Sequence, residues 1–88
     1  MKTVIKTRKF NKEIYTFELN TMISWTNRKE IEYISCTTPK NCFGYEDHIL
    51  LNSKNQAYTL HRYLPKWILK KCEEIMIELQ EKYCESEG

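Results

Sequence analysis

The chain has 88 residues, enough for one domain but little enclosed space, because a short chain buries a smaller share of its surface than a long one. Its 41% hydrophobic, 12% aromatic and 30% charged residues are those of a folding globular protein and exclude the low-hydrophobicity regime of disordered chains. The net charge of +2 selects no partner by itself, and no apolar run reaches the roughly 18 residues that a membrane span needs.

The opening Met1-Lys2-Thr3-Val4-Ile5-Lys6 breaks off before a signal-peptide apolar region forms, so cytoplasm is the expected compartment. From Thr3 to Phe10, Val4, Ile5 and Phe10 stand among Lys6, Arg8 and Lys9, the pattern of an edge strand with a wet face. Asn11-Lys12 supplies a two-residue turn into Glu13 to Leu19, where Tyr15, Phe17 and Leu19 alternate with Ile14, Thr16 and Glu18 as in a half-buried strand. Asn20-Thr21 leads to a third strand at Met22 to Thr26, and Asn27-Arg28-Lys29 turns into a fourth from Glu30 to Thr37. Pro39 ends it, since proline lacks a ladder donor, and a loop runs to Asp47. His48 to Leu51 and Ala57 to Tyr63 read as a second hairpin around the small polar residues 52–56.

The strongest periodicity comes last. Leu69, Cys72, Met76, Leu79 and Tyr83 follow 3-4-3-4 spacing, widened by Ile68 and Ile75, which predicts an amphipathic helix over about 65–84. Pro65 fits its first turn, where a missing N–H costs nothing. The predicted architecture is α+β: an antiparallel sheet over about 3–63, a meander of about four strands plus a second hairpin, packed by one long C-terminal helix. Residues 1–88 read as a single domain.

Charge divides along the chain. Residues 1–71 hold thirteen Lys and Arg against six acids, a balance of +7, and residues 72–88 hold one Lys against six Glu, a balance of −5. The helix therefore runs against its macrodipole, with Lys66, Lys70 and Lys71 at its start and Glu78, Glu81 and Glu85 near its end, at about 0.3 to 1 kcal/mol per charge. Lys54, Arg62, Lys66, Lys70 and Lys71 have no acid among them, and Tyr58, Tyr63 and Trp67 interleave with them. With Lys2, Lys6, Arg8, Lys9 and Lys12 they form an expected basic surface for phosphates or an acidic protein. Helical geometry sets Trp67 off the Leu69, Cys72, Met76 face and in line with Ile77, as a cover for a sheet edge or a contact for a partner.

Catalytic chemistry is hard to assemble from these residues. Cys36, Cys42, Cys72 and Cys84 suit reduced thiols, since a helical, glycine-poor chain is unlike a disulfide-stapled one. The gaps between Cys36, Cys42 and His48 are too long for a zinc knuckle, and His61 stands farther off, so no metal or cofactor is expected. Nothing in the spacing demands a Cys/His nucleophile, and one internal glycine cannot make a phosphate-cradling loop. Asp47-His48-Ile49 before a hairpin and a helix resembles the opening of the ββα-metal nuclease motif. That motif implies further Asn and His residues on the helix, and residues 65–88 contain neither.

The expected function is therefore that of a small non-catalytic binding protein, with Trp67, Lys66, Lys70, Lys71, Arg62, Tyr63, Tyr58 and Lys54 as partner-binding residues. Abundant Lys, Asn, Ile and Tyr have AT-rich codons, which suits a low-GC bacterium or its phages. The concrete version is thus a phage- or mobile-element-type regulator or inhibitor that blocks a host protein or nucleoprotein complex, such as a defence nuclease. The alternative is a nucleic-acid-binding domain using the sheet and the basic start of the helix. No membrane partner is expected, and either a monomer or a homodimer fits.

Overall fold

Two left-handed residues, Asn11 (φ 49°) and Lys12 (φ 66°), make the tight turn that joins β1 (Lys2–Phe10) to β2 (Glu13–Ile23). Positive φ at both central residues matches the turn to the twist of the strands it links. β3 (Glu30–Thr37), β4 (His48–Leu51) and β5 (Ala57–Thr59) follow, and one helix, α1 (Lys66–Tyr83), ends the chain. The computed structural model describes residues 2–84. All five strands lie in one antiparallel sheet in chain order, β1-β2-β3-β4-β5, so the predicted α+β architecture of a sheet packed by a C-terminal helix is correct.

Paired positions share a face. Lys6↔Phe17, Phe17↔Cys36, Leu19↔Ile34, Cys36↔Ile49 and Leu51↔Ala57 place one set of side chains under the helix. Tyr15, Phe17, Ile34, Cys36 and Ile49 are buried there against Leu64 and the helical Ile68, Cys72, Met76 and Leu79. At about 1.5 to 3 kcal/mol for each large apolar side chain fully buried, this layer is the main source of stability. A bulge between Val4 and Lys6 shifts the β1 register, and Ile5 packs against the core there.

Three boundaries differ from the sequence expectation. Asn20-Thr21 is no break: Asn20 is buried, pairs with Tyr33 and donates from Nδ2 to Ser35 Oγ at 2.7 Å, so β2 runs on to Ile23 and the third strand predicted at 22–26 does not form. The turn comes later, closed by Ser24 N–H to Lys29 O and Arg28 N–H to Ser24 O, both 2.9 Å. β5 stops at Thr59, four residues before Tyr63. Finally, the helical stripe keeps Cys72, Met76 and Leu79 buried and adds Ile68, while Leu69 is half-buried and Tyr83 39% exposed, so the buried face is turned about 25° towards Ile68.

That rotation has a measurable consequence. Ile68→Ala should cost about 2 to 4 kcal/mol in urea unfolding, and Leu69→Ala less than half of that, because a cavity is costly only where the surroundings are closed. Equal losses at the two sites would return Leu69 to the buried stripe.

Candidate functional site

The start of α1 is positioned by a buried acid. Thr38 and Asp47 hold each other across the loop, Thr38 N–H donating to Asp47 O at 2.9 Å and Asp47 N–H to Thr38 Oγ1 at 2.8 Å. From that anchor Asp47 Oδ2 accepts the backbone N–H groups of His61 at 2.9 Å and Arg62 at 2.7 Å. Burial alone pushes the Asp47 carboxyl upward, but the N–H donors of His61, Arg62 and His48 outweigh it and hold the group below the usual carboxylate range. Arg62 is then drawn into the scaffold: its guanidinium donates to Pro39 O at 2.7 Å and its carbonyl accepts the Thr59 hydroxyl. Pro65 caps the helix through its carbonyl, which accepts the N–H groups of Ile68 and Leu69, with no side-chain cap.

Of the residues expected to form one surface, Lys54, Lys66 and Lys70 do come together. With Leu69 and Ile77 they line a groove of about 460 Å³ between the β4–β5 turn and α1. No acid lies among these lysines in sequence, but folding brings Glu73 into the groove. Glu73 accepts Ala57 N–H at 3.0 Å and pairs with Lys70 at 3.1 Å, contacts that in this order hold its carboxyl below the ordinary range.

The other expected residues lie elsewhere. Trp67 is half-exposed and meets Phe10 of β1 edge-on at a centroid distance of 6.2 Å, and Phe10 in turn meets Tyr15 at 5.4 Å. Trp67 thus packs at the turn end of the first hairpin, where Phe10 pairs with Glu13. Its predicted alignment with Ile77 is wrong: ten residues at 100° each leave the two about 80° apart around the helix. Tyr58 is also misplaced, since β5 pairs it with Leu50 on the sheet face turned away from the helix; the groove it borders with Met22 and Tyr33 reaches round to Gln80 of α1. Lys71 and Tyr63 are exposed, Tyr63 by 88%. The acids Glu85 and Glu87 and the Lys2 side chain lie outside the described residues.

The candidate chemical groups are similarly dispersed. Cys36 is buried under the helix beside Cys72, while His48, one register step away, faces the other side. Hydrogen bonding to Cys72 and then burial push the Cys36 thiol well above its ordinary range. His48 Nδ1 lies 3.4 Å from Thr37 Oγ1, which donates to Glu18 Oε1 at 2.6 Å. Among the described residues no three His, Cys, Asp or Glu side chains gather as metal ligands, and the Asp47 carboxylate of the nuclease-like dipeptide is occupied by backbone N–H groups.

The most exposed large apolar side chain, Trp25, has no counterpart in the sequence reading. Leu19 and Ile34 are the last core-packed residues of β2 and β3, and beyond them the hairpin projects as an arm. At its tip Trp25 is 95% exposed and Ile23 64%, and with Ser24 and Arg28 they border an open cleft of about 420 Å³. A second exposed pair, the aromatic Phe43 and Tyr45, stands out from the 38–47 loop, where Asn41 Oδ1 accepts both of their N–H groups. Assigning Met22 to Thr26 to a strand of its own absorbed Trp25 into the sheet. The usable signal was an apolar pair, Ile23 and Trp25, immediately beside a polar turn.

Asp47→Ala should cost about 2 to 3 kcal/mol, the range for a buried charged acceptor that leaves N–H groups unmatched, and Asp47→Asn should cost less. The native carboxyl titrates below its ordinary value. Its contribution is therefore full above the unfolded carboxyl range, near pH 4, and fades as pH falls through the folded value. Chemical unfolding from pH 7 down to pH 2 should show a steeper acid loss for the native chain than for Asp47→Asn. No family model, curated protein or solved structure matches the chain, so its functional reading rests on these surfaces.

Proposed function

We propose that this chain is a non-catalytic binding protein that acts by occupying a surface on another macromolecule. The observation that carries the reading is Trp25, 95% exposed at the end of an arm that the core does not use. Trp and Arg are enriched where binding energy concentrates, and here Trp25, Ile23 and Arg28 share one cleft. A hairpin tip is also a rigid mount, since the Ser24, Asn27, Arg28 and Lys29 bonds fix the turn. Such a tip loses less freedom on docking than a mobile loop.

The most concrete form of this reading is a regulator or inhibitor of the phage or mobile-element type, which blocks a host protein or nucleoprotein complex. Its compact size and AT-rich residue usage support that form. No helix among the described residues is long and apolar enough to cross a membrane.

Trp25→Ala should leave folding within about 0.5 kcal/mol of the native chain, because the ring packs on nothing. In affinity capture from a low-GC bacterial lysate, the same substitution should lower partner affinity by about 2 kcal/mol or more, roughly thirtyfold. Undiminished capture of the same partner by Trp25→Ala, with loss in Trp67→Ala or Lys70→Glu, would move the site to the helix start.

A second reading, nucleic-acid binding, is favoured by the groove that Lys54, Lys66 and Lys70 line together. The outer sheet face adds little to it, since that face lies on the side opposite α1 and Glu18 sits within it. Titration with generic single- and double-stranded DNA and RNA tests it: binding should fall steeply with salt if phosphates are held, and absence of binding at low salt rejects it.

A further inference from the structure

The sheet face turned away from α1 is built to be covered. Register places Val4, Ile14, Met22, Ile31, Leu50 and Tyr58 on it. Val4 is 59% exposed, Ile14 58%, Met22 45%, Ile31 43% and Tyr58 40%. In a chain with 30% charged residues, register places only Lys2, Lys9 and the buried Glu18 as charged residues among the described strand positions on this face. Depletion of charge around apolar side chains is the compositional mark of an interface core.

The apolar residues surround a polar centre that is already closed. Thr37 Oγ1 donates to Glu18 Oε1 at 2.6 Å and Asn20 Nδ2 to Ser35 Oγ at 2.7 Å, and Glu18, Asn20 and Ser35 are each at most 6% exposed. Covering this centre removes little further water from it, so the usual penalty of burying polar groups is small here.

We propose that this face pairs with the same face of a second copy, giving a helix-sheet-sheet-helix homodimer. The arrangement is self-complementary. Ile14 lies at one end of the strands and Met22 with Ile31 at the other, while Val4 on β1 lies across the sheet from Leu50 and Tyr58 on β4 and β5. A two-fold axis in the plane between the sheets and across the strands therefore sets Ile14 of one copy on Met22 of the other, and Val4, Leu50 and Tyr58 each on its own copy. A closed isologous contact of this kind is the commonest oligomer symmetry.

Area permits it as well. β2 runs about 36 Å over its 11 residues and the five strands span about 19 Å, with β4 and β5 filling only part of that length. Such a face is of the order of the about 800 Å² per partner buried in a standard interface. Pairing through the free edge of β1 is disfavoured by comparison, because it sets Lys6, Arg8 and Lys9 of two copies against one another.

Sedimentation equilibrium of the full chain in reducing buffer, from micromolar to near-millimolar concentration, tests the pairing. The native chain should rise from the 10.7 kDa monomer towards twice that mass. Ile14→Lys and Tyr58→Lys, on separate borders of the face, should each weaken the dimer about tenfold or more, as burial of an unpaired charge requires. Both native side chains are at least 40% exposed, so lysine fits without core damage, and circular dichroism checks that each variant folds. Should one fail to fold, the other decides. A native chain that stays monomeric throughout, or lysine variants that dimerise like the native chain, overturns the proposal. The dimer does not rest on partner capture at Trp25: Trp25→Ser should leave the mass distribution unchanged, so the two proposals fail separately.

Discussion

Packing of Ile68, Cys72, Met76 and Leu79 onto Phe17, Ile34, Cys36 and Ile49 fixes what the rest of the molecule must do. A helix of 18 residues is about 27 Å long, and it lies on one face of a sheet in a molecule 40 Å in its longest dimension. One face of the sheet therefore receives a core, and the other must satisfy its side chains by itself. The hydrogen-bonded centre formed by Glu18, Thr37, Asn20 and Ser35 is the local answer on that second face. β2 and β3 also pair for eight positions, beyond the last residues that the core uses, so the surplus length stands out as the arm.

The same packing explains the role of Asp47. β5 is only three residues long and pairs on one side, so it cannot direct the following segment towards the helix. A carboxylate that accepts two successive N–H groups, anchored by Thr38 on its own backbone, supplies that direction. Arg62 is recruited to the same junction through Pro39. A residue that reads in sequence as part of a basic surface is, in the fold, half-buried and committed to holding the loop.

Periodicity made the sheet faces and the helix legible, because Tyr15 and Phe17 alternate with polar neighbours and Cys72, Met76 and Leu79 recur at helical spacing. What stayed illegible depends on contacts distant in sequence. Asn20 looks like a turn residue until Ser35, fifteen positions away, supplies its partner. Glu73 looks like an ordinary helical acid until the β4–β5 turn brings Ala57 to it. Tyr58 and Trp67 sit nine residues apart among lysines, yet strand alternation sends one to the outer face and helical rotation sends the other to Phe10. Charge clusters read from a linear sequence are thus the least transferable signal in this chain, since each lysine's neighbours are decided by the fold.

The distribution of apolar residues follows from the same limit on covering. With 41% hydrophobic residues and a single helix, the chain holds more large apolar side chains than one helix-facing layer can bury. Scattered singly, such residues are ordinary surface. Here many are sorted by place: Ile23 and Trp25 at the arm, Phe43 and Tyr45 on the loop fixed by Asn41, and Val4, Ile14, Met22, Ile31 and Tyr58 around the outer sheet face. The loop and the arm end in rigid turns, and the sheet face is flat backbone, so each presents its side chains with little entropy left to lose on contact. Exposed apolar surface on ordered backbone contributes nothing to the isolated fold, and its free energy is recovered only when another surface covers it.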